Sequence, residues 1–147
     1  MALQGVPADP PKIRFGCPWG IAVNSDKGEE MEIVSRENAE HYVWGGVCDG
    51  WHLLKSSGLS VIQERVPSGG SEVKHYHERS HQFFFVLAGE ATLEIDDQRM
   101  VVGPLQGISI PPKVPHRLLN EGKEDLSFLV VSAPLSHGDR VLVSQMP

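Results

Sequence analysis

The chain has 147 residues, of which 40% are hydrophobic and 22% charged, as is ordinary for a soluble globular protein. Its 13 basic and 19 acidic side chains give a formal net charge of −6, and no basic run is present to contact phosphates, which argues against nucleic acid as a partner. No stretch approaches the roughly 18 apolar residues of a membrane span, and the N-terminal segment lacks a signal-peptide pattern, so we predict a cytoplasmic protein with no membrane partner.

The first part of the chain differs in composition from the rest. Residues 1–30 contain the proline-, glycine- and polar-rich stretches VPADPP, CPWG and NSDKGEE, which are typical of irregular backbone. We therefore predict an extended N-terminal arm over residues 1–30 and a single domain over residues 31–147. The two cysteines, Cys17 and Cys48, form no CxxC pair, and we interpret both as free thiols, as expected in the cytoplasm.

Short strand-like segments separated by turn residues begin at residue 31. The first, MEIV, precedes SRENAEHY, over which we predict one helical turn with Ser35 as its N-cap. Turn residues such as PSGG, GP and NEG separate the later segments. The predicted later strands are DGWHLLKS, LSVIQERV, SEVKHYH, HQFFFVLA, ATLEIDD, RMVV, GISI, HRLLN and LSFLVVSA. Many short strands at this spacing, with no long helix, predict an all-β sandwich or barrel.

Three of the seven histidines fall within the short segment KHYHERSHQ. Because alternate residues of a strand point to the same face, His75 and His77 are predicted neighbours and can share one metal ion. The following strand begins with His81 and Gln82, either of which could supply a third ligand. His116 opens a later strand, after the proline-rich stretch IPPKVP. A lone HxH pair usually consists of solvent-exposed histidines that bind no metal. Here the additional His81 or Gln82 and the downstream His116 favour a metal site.

Two blocks of the sequence resemble the conserved motifs of the cupin superfamily. They are Gly69-x5-His75-x-His77-x4-Gln82-x6-Gly89 and Pro111-x-Lys113-x2-His116-x3-Asn120, the second with lysine where the motif has glycine. The resemblance implies a double-stranded β-helix, or jelly-roll barrel, over the domain. It also implies a metal ion held inside the mouth of the barrel by the residues at the motif positions, and a homodimer. The implied ligands are His75, His77, Gln82 and His116.

Position 82 departs from the first motif, because cupins usually have glutamate there. Three interpretations stay open: Gln82 binds through its carbonyl oxygen, His81 binds in its place, or three histidines hold the ion with water. Adjacent strand residues face opposite ways, so His81 and Gln82 are not expected to bind together, and the motif spacing favours Gln82. Without a carboxylate among its ligands the ion keeps its full charge, and we expect a stronger Lewis acid than in a glutamate-bearing relative.

The ligand types leave the metal and the reaction open. Imidazole suits Fe, Mn, Ni, Cu or Zn, so we predict a divalent transition metal ion of unspecified identity. The resemblance implies a metal-dependent enzyme that acts on a small oxygen-bearing molecule in a dioxygenase-like or sugar-isomerase-like reaction. The alternative is a non-catalytic small-molecule-binding protein or a metal-dependent sensor. His52 and Glu64 are candidate acid/base groups, although the plainer interpretation is a satisfied structural histidine and a solvated glutamate.

Overall fold

A computed structural model of the protein describes residues 22–24 and 29–143. Within these residues every regular element is a β-strand. They contain no candidate for a membrane-spanning helix. The first two strands, β1 (Ala22–Asn24) and β2 (Glu29–Met31), pair with each other as an antiparallel hairpin. The rest of the predicted arm over residues 1–30 lies outside the described residues, as does Cys17.

Eleven further strands are described between residues 40 and 142. They are β3 (Glu40–Trp44), β4 (Cys48–Lys55), β5 (Ser60–Val66), β6 (His75–His77), β7 (His81–Ala88), β8 (Ala91–Ile95), β9 (Gln98–Val102), β10 (Gly107–Ile110), β11 (His116–Leu119), β12 (Leu126–Ala133) and β13 (Arg140–Leu142). They form a six-stranded sheet in the order β10-β7-β12-β5-β4-β3 and a five-stranded sheet in the order β13-β6-β11-β8-β9. All of these pairs are antiparallel. The predicted all-β class is confirmed.

Alternation along the strands sorts the side chains into an inner and an outer set. β5 and β12 alternate between buried and half-buried positions over nearly their whole length, as expected where one face of a sheet is covered. The inner apolar residues form one core, in which the rings of Phe84 and Phe128 stack at 5.9 Å. Leu93 and Leu118, from the five-stranded sheet, belong to the same core. The core therefore joins the two sheets.

The predicted helical turn over SRENAEHY is wrong. Residues 36–38 form a turn, Ala39 lies in a bend, and β3 begins at Glu40. A hairpin connects β3 to β4 through residues 45–47, in which Gly45 and Gly46 adopt left-handed φ angles of 58° and 81°. The pairing across this glycine turn outweighs the weak helix preference of the preceding polar residues. Of the predicted strand MEIV, only Met31 lies in a strand.

Asn120, the last residue of the second motif, has a structural position. Its side chain is buried, and Nδ2 donates hydrogen bonds to the carbonyl oxygens of Val66 and Glu124, each at 2.8 Å. Its Oδ1 accepts a bond from the amide of Gly122 at 3.0 Å. Asn120 thus ties the end of β11, which begins at His116, to the end of β5 in the other sheet.

Candidate metal centre

Three histidines from two adjacent strands converge on one point. β6 carries His75 and His77, both buried, and β11 begins at His116, which is the Cα partner of His75. Cα partners in an antiparallel pair present their side chains on the same face. The ring of His75 therefore lies 4.5 Å from that of His116 and 5.1 Å from that of His77, measured between centroids.

One nitrogen atom from each of the three rings lies within 4.8 Å of the others. Two nitrogens that bind the same transition metal ion, each at about 2.1 Å, are separated by roughly 3–4 Å. The three rings are therefore close to the geometry that one shared ion requires. In the part of the chain that the structure describes, this is the one group of histidine, cysteine and carboxylate side chains gathered in this way.

Hydrogen bonds to backbone carbonyl groups orient two of the rings. Nδ1 of His75 lies 2.8 Å from the carbonyl oxygen of Val73, and Nδ1 of His116 lies 2.9 Å from that of Val114. A carbonyl oxygen can only accept, so Nδ1 of His116 carries the proton and its Nε2 keeps a lone pair. Nδ1 of His75 has two contacts, the Val73 carbonyl and, at 3.2 Å, Nη2 of Arg140, which can only donate. Nε2 of His116 and Nδ1 of His77 are buried without a hydrogen-bond partner among the described residues.

Burial keeps the three imidazole groups neutral. It lowers the pKa of His75 to about 3 and that of His77 to about 4, with further lowering from neighbouring cationic groups. The pKa of His116 is lowered as well, chiefly by burial, although its bond to Val114 acts in the opposite direction. Neutral imidazole is the form that binds a metal ion, so no proton competes with the ion at neutral pH.

Gln82 and His81 lie on opposite faces of β7. Gln82 is buried and faces the histidines' cavity, and its Nε2 donates a hydrogen bond to Oγ of Ser132 at 3.2 Å. Its Oε1 is buried without a hydrogen-bond partner among the described residues. His81 is exposed, and its Nε2 lies 2.6 Å from Oγ of Ser109.

The unpartnered polar atoms test whether these residues fit a metal ion. A buried polar atom without a partner is costly unless a ligand or an ion completes its interactions. Two such nitrogens, of His77 and His116, and one such oxygen, of Gln82, belong to residues from the two cupin-like motifs. Three neutral imidazoles fit a divalent transition metal ion and do not specify which. Whether the amide oxygen of Gln82 is a fourth donor stays a prediction.

A cavity of about 300 Å³ opens beside the histidines. Its wall combines apolar side chains from the six-stranded sheet with polar groups and with a rim segment, residues 136–140. The apolar lining residues are Trp44, Ile62, Phe84 and Val130, and the polar and rim lining residues are Tyr42, Glu64, Glu72, His75, His77, Gln82, Ser136, His137, Gly138 and Arg140. The candidate metal centre therefore borders a cavity large enough for a small molecule.

Glu64 is part of the cavity wall and not a solvated residue, which corrects the plainer sequence interpretation. Its side chain is on the inner face of β5, and the residue is 8% exposed. The hydroxyl group of Tyr42 donates a hydrogen bond to Oε1 of Glu64 at 2.9 Å. Burial raises the pKa of Glu64 to about 8, with a further increase from the charge of Glu72, and the Tyr42 bond opposes this rise.

Glu72 is a second carboxyl group in the same wall. Its Oε2 accepts a hydrogen bond from the backbone amide of Leu118 at 3.1 Å, two residues after His116. Burial raises its pKa to about 7, against the opposing effects of the Arg140 guanidinium group and of the Leu118 bond. The cavity therefore contains two carboxyl groups that exchange protons near neutral pH.

His52 is not a lining residue of the cavity. It is buried on β4, and its ring lies 5.0 Å from that of Tyr42 and 5.1 Å from that of His137, measured between centroids. Its Nδ1 has no hydrogen-bond partner among the described residues. Both interpretations of His52, as a structural histidine and as an acid/base group, stay predictions. Burial lowers its pKa, which keeps the ring neutral.

Comparison with known proteins identifies the family. The family model for the cupin domain matches residues 62–132, which contain His75, His77, Gln82 and His116. The chain belongs to the cupin superfamily. An uncharacterized protein of Methanocaldococcus jannaschii is 32% identical to this cupin over 89 residues, which are 60% of this chain and 71% of that protein.

Solved structures share the fold. A Klebsiella pneumoniae protein with a double-stranded β-helix domain matches 77% of this cupin and 97% of its own chain, with a TM-score of 0.65 and 19% identity. The polyketide cyclase RemF of Streptomyces resistomycificus matches 78% and 88%, with a TM-score of 0.66 and 24% identity. The predicted double-stranded β-helix is thereby confirmed.

Proposed function

We propose that this cupin is a mononuclear metal-dependent enzyme of the isomerase type, which moves a proton within a small molecule that carries a carbonyl and a hydroxyl group. The observation that supports the proposal is Glu64, a buried carboxyl group in the wall of the cavity that contains His75 and His77. Its pKa of about 8 lies near neutral pH. A group of that kind can remove a proton and return it in the same catalytic cycle.

The metal would be held by four side chains, those of His75, His77, Gln82 and His116. When bound, the ion would supply Lewis acidity that polarises a carbonyl oxygen of the substrate. The donor set contains no carboxylate, so the charge of the ion is not neutralised by its ligands. Polarisation of the carbonyl makes a proton on the neighbouring carbon more acidic, and Glu64 is the proposed base for that proton.

Glu72 is a second carboxyl group that influences the protonation of Glu64. Two carboxyl groups in one cavity repel each other when both are ionised, so that one of them tends to hold a proton. The pKa values of about 8 for Glu64 and about 7 for Glu72 belong to the metal-free protein, in which Glu64 is the more protonated of the two at neutral pH. The charge of a bound ion would lower both values and so favour the ionised form in which Glu64 acts as a base. The isomerase-type reaction needs both forms, whereas activation of dioxygen does not depend on such a pair.

The cavity limits the size of the substrate. Its volume of about 300 Å³ is at the lower end of the range of about 300–1,000 Å³ that small-molecule sites usually have. Trp44, Ile62 and Phe84 supply an apolar part of the wall, while the carboxyl groups and the donor set supply a polar part. A substrate with a short carbon chain and adjacent oxygen atoms matches both.

The proposal is tested with protein purified without a histidine tag and loaded in turn with Mn²⁺, Fe²⁺, Ni²⁺ or Zn²⁺. Each form is incubated in D₂O with hydroxyketones, 2-oxo acids, 1,3-diketones and aldoses, and exchange of carbon-bound hydrogen is followed by NMR. We expect metal-dependent exchange with at least one class. Glu64→Gln should lower its rate by about 10²–10⁴-fold with metal content unchanged. Glu90→Gln, at an exposed residue, is the matched control.

Two other outcomes would contradict the proposal. Metal-dependent consumption of oxygen without hydrogen exchange would favour the dioxygenase-like alternative. Saturable binding of a compound with neither exchange nor oxygen consumption would favour a non-catalytic binding protein or sensor. An oxygen electrode and isothermal titration calorimetry, applied to the same compounds, distinguish these cases.

The homodimer, the cytoplasmic location and the division into an arm over residues 1–30 and a domain over residues 31–147 stay predictions. Phe83 and Leu87, on the outer face of β7, are 41% and 36% exposed. Apolar side chains on an outer sheet face are suited to contact with a second copy. Sedimentation velocity of the wild-type chain and of Phe83→Ser measures whether such a contact forms.

A further inference from the structure

Tyr42, Gly50 and Glu64 lie side by side on three neighbouring strands. Tyr42 on β3 is the Cα partner of Gly50 on β4, and Gly50 is the Cα partner of Glu64 on β5. Neighbouring strands are separated by about 4.8 Å, so the backbones of Tyr42 and Glu64 are roughly 10 Å apart. The hydroxyl group of Tyr42 nevertheless lies 2.9 Å from Oε1 of Glu64. The tyrosine side chain therefore spans β4.

Gly50 provides the space through which the tyrosine ring passes. A Cβ atom at position 50 would lie 2.2 Å from Cζ, 2.5 Å from Cε1 and 2.6 Å from the hydroxyl oxygen of Tyr42. The φ angle of Gly50 is outside the left-handed region, so other residues could adopt its backbone conformation. Glycine in the middle of a strand weakens the strand and often marks a close approach of another group. The requirement for glycine here is therefore one of space.

We propose that Tyr42 is the positioning residue for the Glu64 carboxyl group, and that Gly50 is the position that allows Tyr42 to reach it. The inference rests on the proposed function of Glu64 as the proton-transfer group. Because Oε1 accepts the hydrogen bond from the tyrosine hydroxyl group, the exchange of a proton with the substrate is left to Oε2. The bond also fixes the rotation of the carboxyl group, so that Oε2 keeps one direction in the cavity.

Glu64 is surrounded by several titratable and charged groups, among which the Tyr42 hydroxyl group is the neutral hydrogen-bond donor to its carboxyl group. The titratable and charged groups that share its cavity are Tyr42, Glu72, His75, His77, His137 and Arg140. Burial is the main cause of the raised pKa of Glu64 and the charge of Glu72 adds to it, while the Tyr42 bond and the charge of Arg140 lower it. Burial and the charge of Glu64 raise the pKa of Tyr42 far above its usual value, so its hydroxyl group keeps its proton and donates throughout the neutral range.

The first test is a direct titration of Glu64 that needs no substrate. Protein labelled with ¹³C at the glutamate carboxyl carbons and loaded with diamagnetic Zn²⁺ is titrated by NMR, and Glu64→Gln assigns the resonance. In Tyr42→Phe the carboxylate loses its donor, and we expect the Glu64 midpoint to rise by roughly 0.5–1 pH unit. Tyr76→Phe, the matched control at the other tyrosine of the chain, should leave it unchanged. An unchanged midpoint in Tyr42→Phe would overturn the positioning role.

The second test concerns Gly50. Gly50→Ala should displace the ring and raise the Glu64 midpoint as Tyr42→Phe does, with no further rise in the double variant. Gly58→Ala is the matched control, because a Cβ there meets nothing within 4 Å. If Gly50→Ala alone unfolds the domain, its combination with Tyr42→Ala, which removes the ring, should restore the folded circular-dichroism spectrum. A wild-type midpoint in Gly50→Ala, or failure of the rescue, would overturn the assignment of Gly50.

These results are separable from those for the proposed function. The titration reports the Tyr42–Glu64 bond whether or not the protein turns over any compound. Shifted midpoints without metal-dependent hydrogen exchange would support the positioning geometry and contradict the isomerase-type reaction. If hydrogen exchange depends on Glu64 but the Glu64 titration midpoint is the same in Tyr42→Phe and in the wild type, the isomerase-type reaction is supported and the positioning role of Tyr42 is contradicted.

Discussion

The carboxylate of Asp139 accepts a hydrogen bond from the backbone amide of Ser80, with 2.8 Å between Oδ2 and N. The same oxygen accepts a bond from the amide of Arg79 at 2.9 Å. Burial of Asp139 acts to raise its pKa, but these two bonds and the charge of Arg79 outweigh it, so the pKa is lowered. The contact attaches the cavity rim, which carries His137 and Arg140, to the turn between β6 and β7.

Replacement of Asp139 should therefore loosen the rim. Asp139→Ala leaves the amides of Ser80 and Arg79 without their acceptor, and Ser80 is buried. We expect the free energy of unfolding of the metal-free protein to fall by about 1–3 kcal/mol, measured by urea denaturation. Asp97→Ala, at an exposed turn residue, is the control and should change it by less than about 0.5 kcal/mol. Equal effects of the two substitutions would refute the role of Asp139.

The part of the site that depends on local periodicity could be predicted from sequence. His75 and His77 are two residues apart on a strand, and their common face follows from that spacing alone. The same rule predicts that His81 and Gln82 face opposite ways, as the structure shows, whereas the choice of Gln82 over His81 came from the motif spacing. His116 is 39 positions beyond His77, so periodicity does not connect it to the pair, and its proline-rich approach and the motif resemblance were the signals.

The rest of the cavity wall depends on strand pairing between distant segments. Tyr42 lies in a segment that resembles a helix start, and it reaches the cavity only because β3 pairs with β4 in one particular register. Arg140 belongs to a strand of three residues, too short for a detectable alternation. Glu64 is polar at a buried position, which a pattern of alternating apolar residues does not mark. The strand register and the pairing of distant strands cannot be predicted from a single sequence.

Metal binding should depend on His116 and be independent of His81. His116→Ala removes one of three converging nitrogens, and we expect zinc affinity to fall by at least about 100-fold. His81→Ala changes an exposed ring on the outer face of β7 and should bind zinc as the wild type does. Competition with a chromophoric chelator measures both affinities. Loss of zinc binding in His81→Ala would show that His81 contributes a ligand, contrary to the geometry.

A carboxylate at position 82 should strengthen metal binding and weaken the metal-free fold. In Gln82→Glu the added negative charge faces the ion, and we expect zinc affinity to rise by about tenfold, or ~1.4 kcal/mol. In the metal-free protein the same charge is buried near neutral histidines, so the melting temperature should fall. Gln98→Glu adds the same charge at an exposed residue and is the control. Unchanged zinc affinity in Gln82→Glu would indicate that the side chain at position 82 does not face the ion.

The pH dependence of stability should reveal the two carboxyl groups of the cavity wall. Glu64 and Glu72 have pKa values of about 8 and 7 in the folded protein, both above the ordinary value of 4.5. The folded state therefore holds protons that the unfolded chain has already released. Their contribution is fully present below about pH 4.5 and is lost as the pH rises through 7 and 8. For Glu64 alone the loss between pH 6.5 and 8 is about 2 kcal/mol.

The buried histidines act mainly at lower pH. His75 and His77 have pKa values of about 3 and 4, below the ordinary 6.5, so most of their contribution is lost as the pH falls below 6.5. Between pH 6.5 and 8 each still adds about 0.4 kcal/mol, in the direction opposite to Glu64 and equally in the wild type and in Glu64→Gln. Urea denaturation of the metal-free protein at pH 6.5 and pH 8 should thus show a decline that Glu64→Gln reduces and Glu90→Gln leaves intact. An equal decline in Glu64→Gln and the wild type would mean that Glu64 is already ionised at pH 6.5, since only a carboxyl group that releases its proton above that pH can produce the difference.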